Sequence, residues 1–177
     1  MAENTAEYWE KRLSRRTESA ASKNPGHMEA IGLVSVHYAL LELGLNSFVW
    51  GLLGVDEETG ATITSQLRGE GALRVLIASL FVAKGHGAML EEELTRLLSR
   101  IGKLGERRNQ MIHAVWALGA SGETLARIRV AVRNGYRLES IQVRANDIHK
   151  LAEELLTAMQ DLRDFKERLG YTLGSHI

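Results

Sequence analysis

One proline, Pro25, in 177 residues constrains this chain more than any other feature. Proline ends helices more reliably than any other residue, because it lacks the backbone N–H and its ring clashes with the preceding turn. Everything beyond Pro25 is therefore free of the strongest helix stop, and the apolar residues there recur at helical spacing. The pattern predicts a helix over about 5–22, a break at Asn24-Pro25-Gly26, and a long apolar helix from about Met28 to Leu53,. A loop over 54–60 follows, carrying Asp56, Glu57 and Glu58. A third helix covers about 71–83 and stops at Gly85-His86-Gly87, where glycine supplies the usual C-terminal end,. A fourth runs from about Leu90 to Leu118, with Gly102 and Gly105 as points where it bends or divides,.

The period then changes from helical to two. Ile128, Val130 and Val132 alternate with Arg127, Arg129, Ala131 and Arg133, the pattern of a strand with one buried face,. Asn134-Gly135 suits a tight hairpin turn, and Tyr136 to Val143 reads as the return strand,. An isolated hairpin is marginal in water, so this ribbon must pack on the helices. The last helix opens at Asn146 or Asp147 and keeps three-four spacing through Ile148, Leu151, Leu155, Met159, Leu162 and Phe165 to about Gly170,. The expected fold is mainly α: a helical bundle with one small antiparallel β-hairpin at about 125–143. Residues 1–27 form an N-terminal helical extension, 28–170 the domain, and 171–177 a tail.

Charge and residue usage remove several functional classes. Lys and Arg number 22 and Asp and Glu 22, so no global field favours nucleic acid or an anionic membrane, and any such argument must be local,. With no cysteine there is no disulfide, thiolate nucleophile or Cys-type zinc site,. The first residues lack the apolar run of a signal peptide, which makes a cytoplasmic location the expectation,. The stretch Leu33–Leu53 is long enough to span a bilayer, but His37, Glu42 and Asn46 within it favour a central helix buried on most sides,. No membrane, metal or cofactor is expected. The chain has no Gly-rich phosphate loop ending in Lys-Ser/Thr, no His-Glu-x-x-His and no Gly-x-Ser-x-Gly,.

On the fourth helix lies GERRNQMIHAVWAL, in which Arg108, Asn109 and His113 stand as Arg-Asn-x-x-x-His. The spacing alone is weak: with 16 arginines and 6 histidines, chance supplies about 0.5 Arg-x4-His pairs,. Arg144 and His149 form such a decoy. Requiring asparagine directly after the arginine lowers the expectation to about 0.02, and only Arg108-Asn109 meets it,. Here the sequence resembles the HEPN superfamily, whose mark is an Arg-x(4 to 6)-His motif, often beginning Arg-Asn, within a small helical domain. The resemblance also takes in an apolar helix with an embedded acid, HYALLELGLNSFVWGLL, a middle helix, the motif helix and a closing helix. It implies an HEPN-like helical bundle. It further implies a metal-independent endoribonuclease acting as a symmetric dimer, or a member that binds RNA or serves as a scaffold without cutting. A toxin or defence effector of this kind has an antitoxin or regulatory protein as its partner.

The chemistry of these residues fits that implication. Cutting RNA without metal needs a group to take the 2′-hydroxyl proton and a fixed cation for the charge gathering on phosphate. Imidazole exchanges protons near neutral pH, and guanidinium presents a planar fork of donors to phosphate oxygens. Asn109 shares a helix face with His113 and either orients the imidazole or binds phosphate,. Arg108 and His113 lie about 140° apart on one helix, so a homodimer that lines one cleft with both residues from both copies makes better chemical sense. Trp116 falls near the His113 face and is expected at that interface,. Glu42, in an otherwise apolar helix with Asn46 one turn on, needs a partner, and Arg108 is one candidate,. Arg127, Arg129, Arg133, Arg137 and Arg144 against Glu139 give the ribbon a net +4, suited either to an RNA backbone or to protecting a sheet edge,.

Overall fold

The computed structural model describes residues 24–118, 125–131 and 137–171, and they are mainly helical. The elements run α1 (Pro25–Leu53), α2 (Glu57–Thr64), α3 (Glu70–Lys84), α4 (Ala88–Ile112), β1 (Val115–Leu118), β2 (Leu125–Ala131), β3 (Arg137–Val143) and α5 (Ala145–Arg168). The expected helix over 5–22, the turn at Asn134-Gly135 and the tail beyond Tyr171 lie outside the described residues.

Several boundaries differ from the sequence reading, each for a local reason. Pro25 opens α1, ahead of the expected start near Met28: at the first helical position its missing N–H is one the helix does not use, and the Asn24 carbonyl accepts from His27 N and Met28 N,. The acids expected in a loop instead start α2, where the Asp56 carboxylate accepts from Thr59 N at 2.8 Å and Glu57 and Glu58 occupy the first turn,. The Thr59 hydrogen bonds hold the Asp56 carboxyl below its usual range. Helix α3 ends as expected, with Gly85 at φ 69°,.

The chain packs as two compact units. Of the described residues, the first takes 24–35 together with those in Arg108–Ala152, and the second takes Val36–Arg107 and 153–171, so α1, α4 and α5 each contribute to both. In the first unit the strands form one antiparallel sheet in the order β1-β2-β3. Val115 pairs with Ile128 and Leu118 with Leu125, while Leu125 pairs with Val143 and Ala131 with Arg137. The fourth helix was expected to reach Leu118. It stops at Ile112, and the β-prone run after it becomes β1, whose pairing with β2 no local pattern announces,. Buried residues of this unit include Ala30, Val34, Trp116, Val143, Ile148 and Leu151. The His27 imidazole Nε2 bonds the Val143 carbonyl at 2.9 Å and ties the start of α1 to the end of β3.

The second unit centres on Phe48, whose ring meets Phe81 and Phe165 edge-on at 6.3 and 6.1 Å,. Leu41, Leu45, Ile77, Leu94, Ile101, Leu155 and Leu162 complete its core. Helices α4 and α5 run antiparallel here, joined by Glu93–Arg168, Arg100–Asp161 and Arg107–Glu154, seven residues apart on each helix. These pairs are about half exposed, so each contributes only ~0–1 kcal/mol and the apolar seam beneath supplies the cohesion,.

Helix α1 corrects a second expectation. Over Val36–Leu45 it is not buried on most sides: Tyr38, Leu41 and Leu45 face inward, while Val36, Leu40 and Leu43, on the opposite side, are exposed. Its C-terminal turns do match the expectation, since Ser47, Phe48, Val49 and Trp50 are buried in succession. Among the described residues it is the one helix long and apolar enough to cross a membrane by length and composition.

Gly102 and Gly105 do not divide α4, which is continuous. A methyl group at Gly102 would stand 2.6 Å from Arg74 Cζ, and one at Gly105 would stand 2.9 Å from Glu70 Oε2. The glycines clear room for the Glu70–Arg74 ion pair of α3. Burial pushes the Glu70 carboxyl up, Arg74 opposes that shift, and the charges of Glu42 and Glu106 add to it,.

Lys166 is buried in the second unit, donating to Ser47 Oγ and to the Gly44 carbonyl at 3.3 Å. Burial lowers its pKa from 10.5 to about 8, with Glu167 opposing. Between those values the unfolded chain holds a proton that the folded chain does not, so stability rises as pH climbs from about 8 to 10.5,. The full shift corresponds to up to about 3 kcal/mol, which residual hydration reduces to roughly 2. Chemical denaturation at pH 7.5 and 10 should show that gain. Lys166→Met should remove the pH dependence and stabilise the protein at pH 7.5. A flat wild-type profile over this range would contradict the account.

Candidate functional site at the C-terminal end of α4

Arg108, Asn109 and His113 lie around the C-terminal end of α4, in the first unit. Arg108 and Asn109 lie in the last turns of the helix. His113 is the first residue beyond it, in a turn, rather than on the helix as the sequence suggested. Its backbone N still donates to the Asn109 carbonyl at 3.1 Å, so the helical hydrogen-bond pattern extends one residue past the helix and fixes where His113 leaves it,.

The three side chains differ in exposure. Arg108 is half-buried, while Asn109 and His113 are exposed. Arg108 Nη1 donates to Asn109 Oδ1 at 3.0 Å. A helix C-terminus carries partial negative charge, which favours the guanidinium there. Anions gain nothing from that end of a helix, so any affinity for phosphate has to come from side-chain donors.

The turn after α4 is closed by Trp116. Its indole Nε1 donates to the Met111 carbonyl at 3.0 Å, satisfying one of the last-turn carbonyls of α4, and the residue is 8% exposed,. Because α4 ends before it, Trp116 is not on a helix face shared with His113. It stands on β1, opposite Arg127 in the sheet register. This bond holds the backbone on the C-terminal side of His113.

The other residues singled out by sequence lie on other elements. Glu42 and Asn46 belong to the second unit, where the Asn46 side chain donates to the Glu42 carbonyl at 2.9 Å and the Glu42 charge acts on Glu70. Arg127 and Arg129 lie in β2 and Arg137 opens β3. The backbone register sets Arg129 opposite Glu139, and Arg127 opposite Ile141. Arg133 lies outside the described residues. Among the described residues no group of three or more His, Asp or Glu is placed to hold a metal ion.

Sequence reasoning missed the Glu70–Arg74 pair, the buried Lys166 and the indole bond of Trp116. The first had a signal: an i,i+4 acid–base pair on one helix and glycines three apart on another. The other two depend on contacts with no local pattern. No family model, curated protein or solved structure matches the chain.

Proposed function

We propose that the chain is an HEPN-like, metal-independent endoribonuclease whose cleft is shared by two copies of the protein. The observation that carries this reading is the arrangement at the end of α4. A half-buried guanidinium is hydrogen-bonded to the neighbouring Asn109 amide, and one turn further on stands the exposed His113, whose backbone N donates to the Asn109 carbonyl. Cation, amide and proton-exchanging ring are the groups that transesterification of RNA needs.

In the proposed reaction His113 takes the proton of the 2′-hydroxyl. The 2′-oxygen forms its bond to phosphorus as the bond from phosphorus to the 5′-oxygen breaks. Arg108 of the second copy stabilises the charge gathering on the non-bridging oxygens. The 5′-oxygen leaves with a proton from water, the hydroxide so formed is neutralised by the His113 imidazolium, and the products are a 2′,3′-cyclic phosphate and a 5′-hydroxyl. The basic stretch Arg127–Arg137 holds more distant phosphates.

Purified protein incubated with mixed RNA in EDTA tests this directly. Cleavage that leaves 2′,3′-cyclic phosphate ends supports the enzyme. Intact RNA across pH 6–8 overturns it in favour of a non-catalytic HEPN-like protein that binds RNA or acts as a scaffold.

A further inference from the structure

Asn109 had two roles open to it, orienting the imidazole or binding phosphate, and its hydrogen bond with Arg108 favours the second. A guanidinium has only donors, so the amide atom facing Arg108 Nη1 at 3.0 Å is the oxygen,. That fixes the rotation of the amide and turns Nδ2, with its two N–H groups, away from Arg108. To orient a catalytic imidazole, the amide would have to offer its oxygen to the ring N–H, as a carboxylate or carbonyl does. One of that oxygen's two lone pairs already serves the guanidinium,. What Asn109 presents at an exposed position is a pair of donors beside a cation.

We infer that Asn109 is a phosphate-contact residue: its Nδ2 amide and the Arg108 guanidinium form one cradle for the non-bridging oxygens of an RNA phosphodiester. The Arg108–Asn109 bond aligns the two donor groups before any ligand arrives, which reduces the ordering cost of binding,. The negative end of α4 makes such a cradle necessary, because the backbone there offers carbonyls rather than N–H groups. This inference rests on the ribonuclease reading of the same residues, but binding can be measured apart from cleavage.

The probe is a fluorescent 2′-O-methyl RNA oligonucleotide, which keeps the phosphates and removes the attacking hydroxyl. Its affinity is measured at low salt for the full-length protein. Asn109→Asp keeps the side-chain shape, replaces both donors by an acceptor and places a carboxylate against Arg108. It is expected to weaken binding at least tenfold. Asn109→Ala, which removes the donors without adding charge, should weaken it several-fold, and Asn109→Gln should recover most of that loss. If wild-type protein cleaves natural RNA while Asn109→Asp and Asn109→Ala bind the probe as tightly as wild type, the cradle is wrong and Asn109 acts on the imidazole. If the Asn109 dependence is found but natural RNA stays intact, the cradle stands and the catalytic reading falls. If wild type does not bind the probe, the cradle falls, whether or not natural RNA is cut. Thermal melts of each variant guard against loss of fold, which an exposed position should not cause,.

Discussion

Arg108→Ala and His113→Ala should each lower RNA cleavage in EDTA by about 10²- to 10³-fold, with little change in thermal stability. Losing a general base removes the route for the 2′-hydroxyl proton, and losing the cation leaves the phosphate charge to water. The two effects should not multiply in the double variant, since both residues serve one transition state. His113 is exposed in a turn, so its truncation leaves no cavity. Arg108 is half-buried, and Arg108→Lys is the informative companion: it retains charge while losing the planar fork, and should recover only part of the activity,. Residual cleavage near wild-type level in His113→Ala would remove this residue from the mechanism. Full activity in Arg108→Lys would show that the cation acts only as a point charge.

Gly60→Ala should destabilise the protein by about 3 kcal/mol and lower the melting temperature by on the order of 10 °C. Alanine for glycine inside a helix normally stabilises by about 1 kcal/mol. Gly60 reverses that sign because its bare face lies on an indole: a methyl group there would stand 2.3 Å from Trp50 Cγ and 2.4 Å from Cδ1. These atoms are at the root of a buried side chain and cannot swing aside as the tip of a lysine would. The ring is also pinned, because Trp50 Nε1 donates to Thr64 Oγ1 at 3.2 Å, and Thr64 Oγ1 donates to the Gly60 carbonyl at 3.0 Å. Helix α2 would have to lift off α1 to admit the methyl group. A rise in melting temperature would show that α2 is not held against Trp50 in this way.

The sequence made legible what local pattern dictates. The stop of α3 at Gly85 and the long apolar face of α5 follow from glycine conformation and three-four spacing, and both stand in the structure. The start of α1 was misplaced because proline both stops and starts helices, and only the hydrogen bonds to the Asn24 carbonyl tell which. Helix α2 was hidden because eight residues carry too little periodicity to separate a capped helix from an acidic loop. Strand β1 was hidden because Val115–Leu118 continues the apolar pattern of α4, and only its partner β2, further along the chain, makes it a strand. The candidate site divides in the same way. Its residue types and spacing were visible, whereas the position of His113 beyond the helix end, the Arg108–Asn109 bond and the placement of Trp116 on β1 all depend on where α4 stops. The Glu42 environment was not visible at all, since its neighbour Glu70 comes from a separate helix.

The claim at the centre is that Arg108 of one copy works with His113 of another in a single cleft. Mixing purified Arg108→Ala and His113→Ala proteins under conditions that exchange subunits tests it most directly, because a mixed dimer carries one intact Arg108 and one intact His113 on different chains. Cleavage by the mixture should rise well above that of either parent, with 2′,3′-cyclic phosphate ends, as mass measurement shows mixed dimers forming. A mixture that forms mixed dimers yet cuts no better than its parents would contradict the shared cleft, and so would a protein that cuts RNA as a monomer.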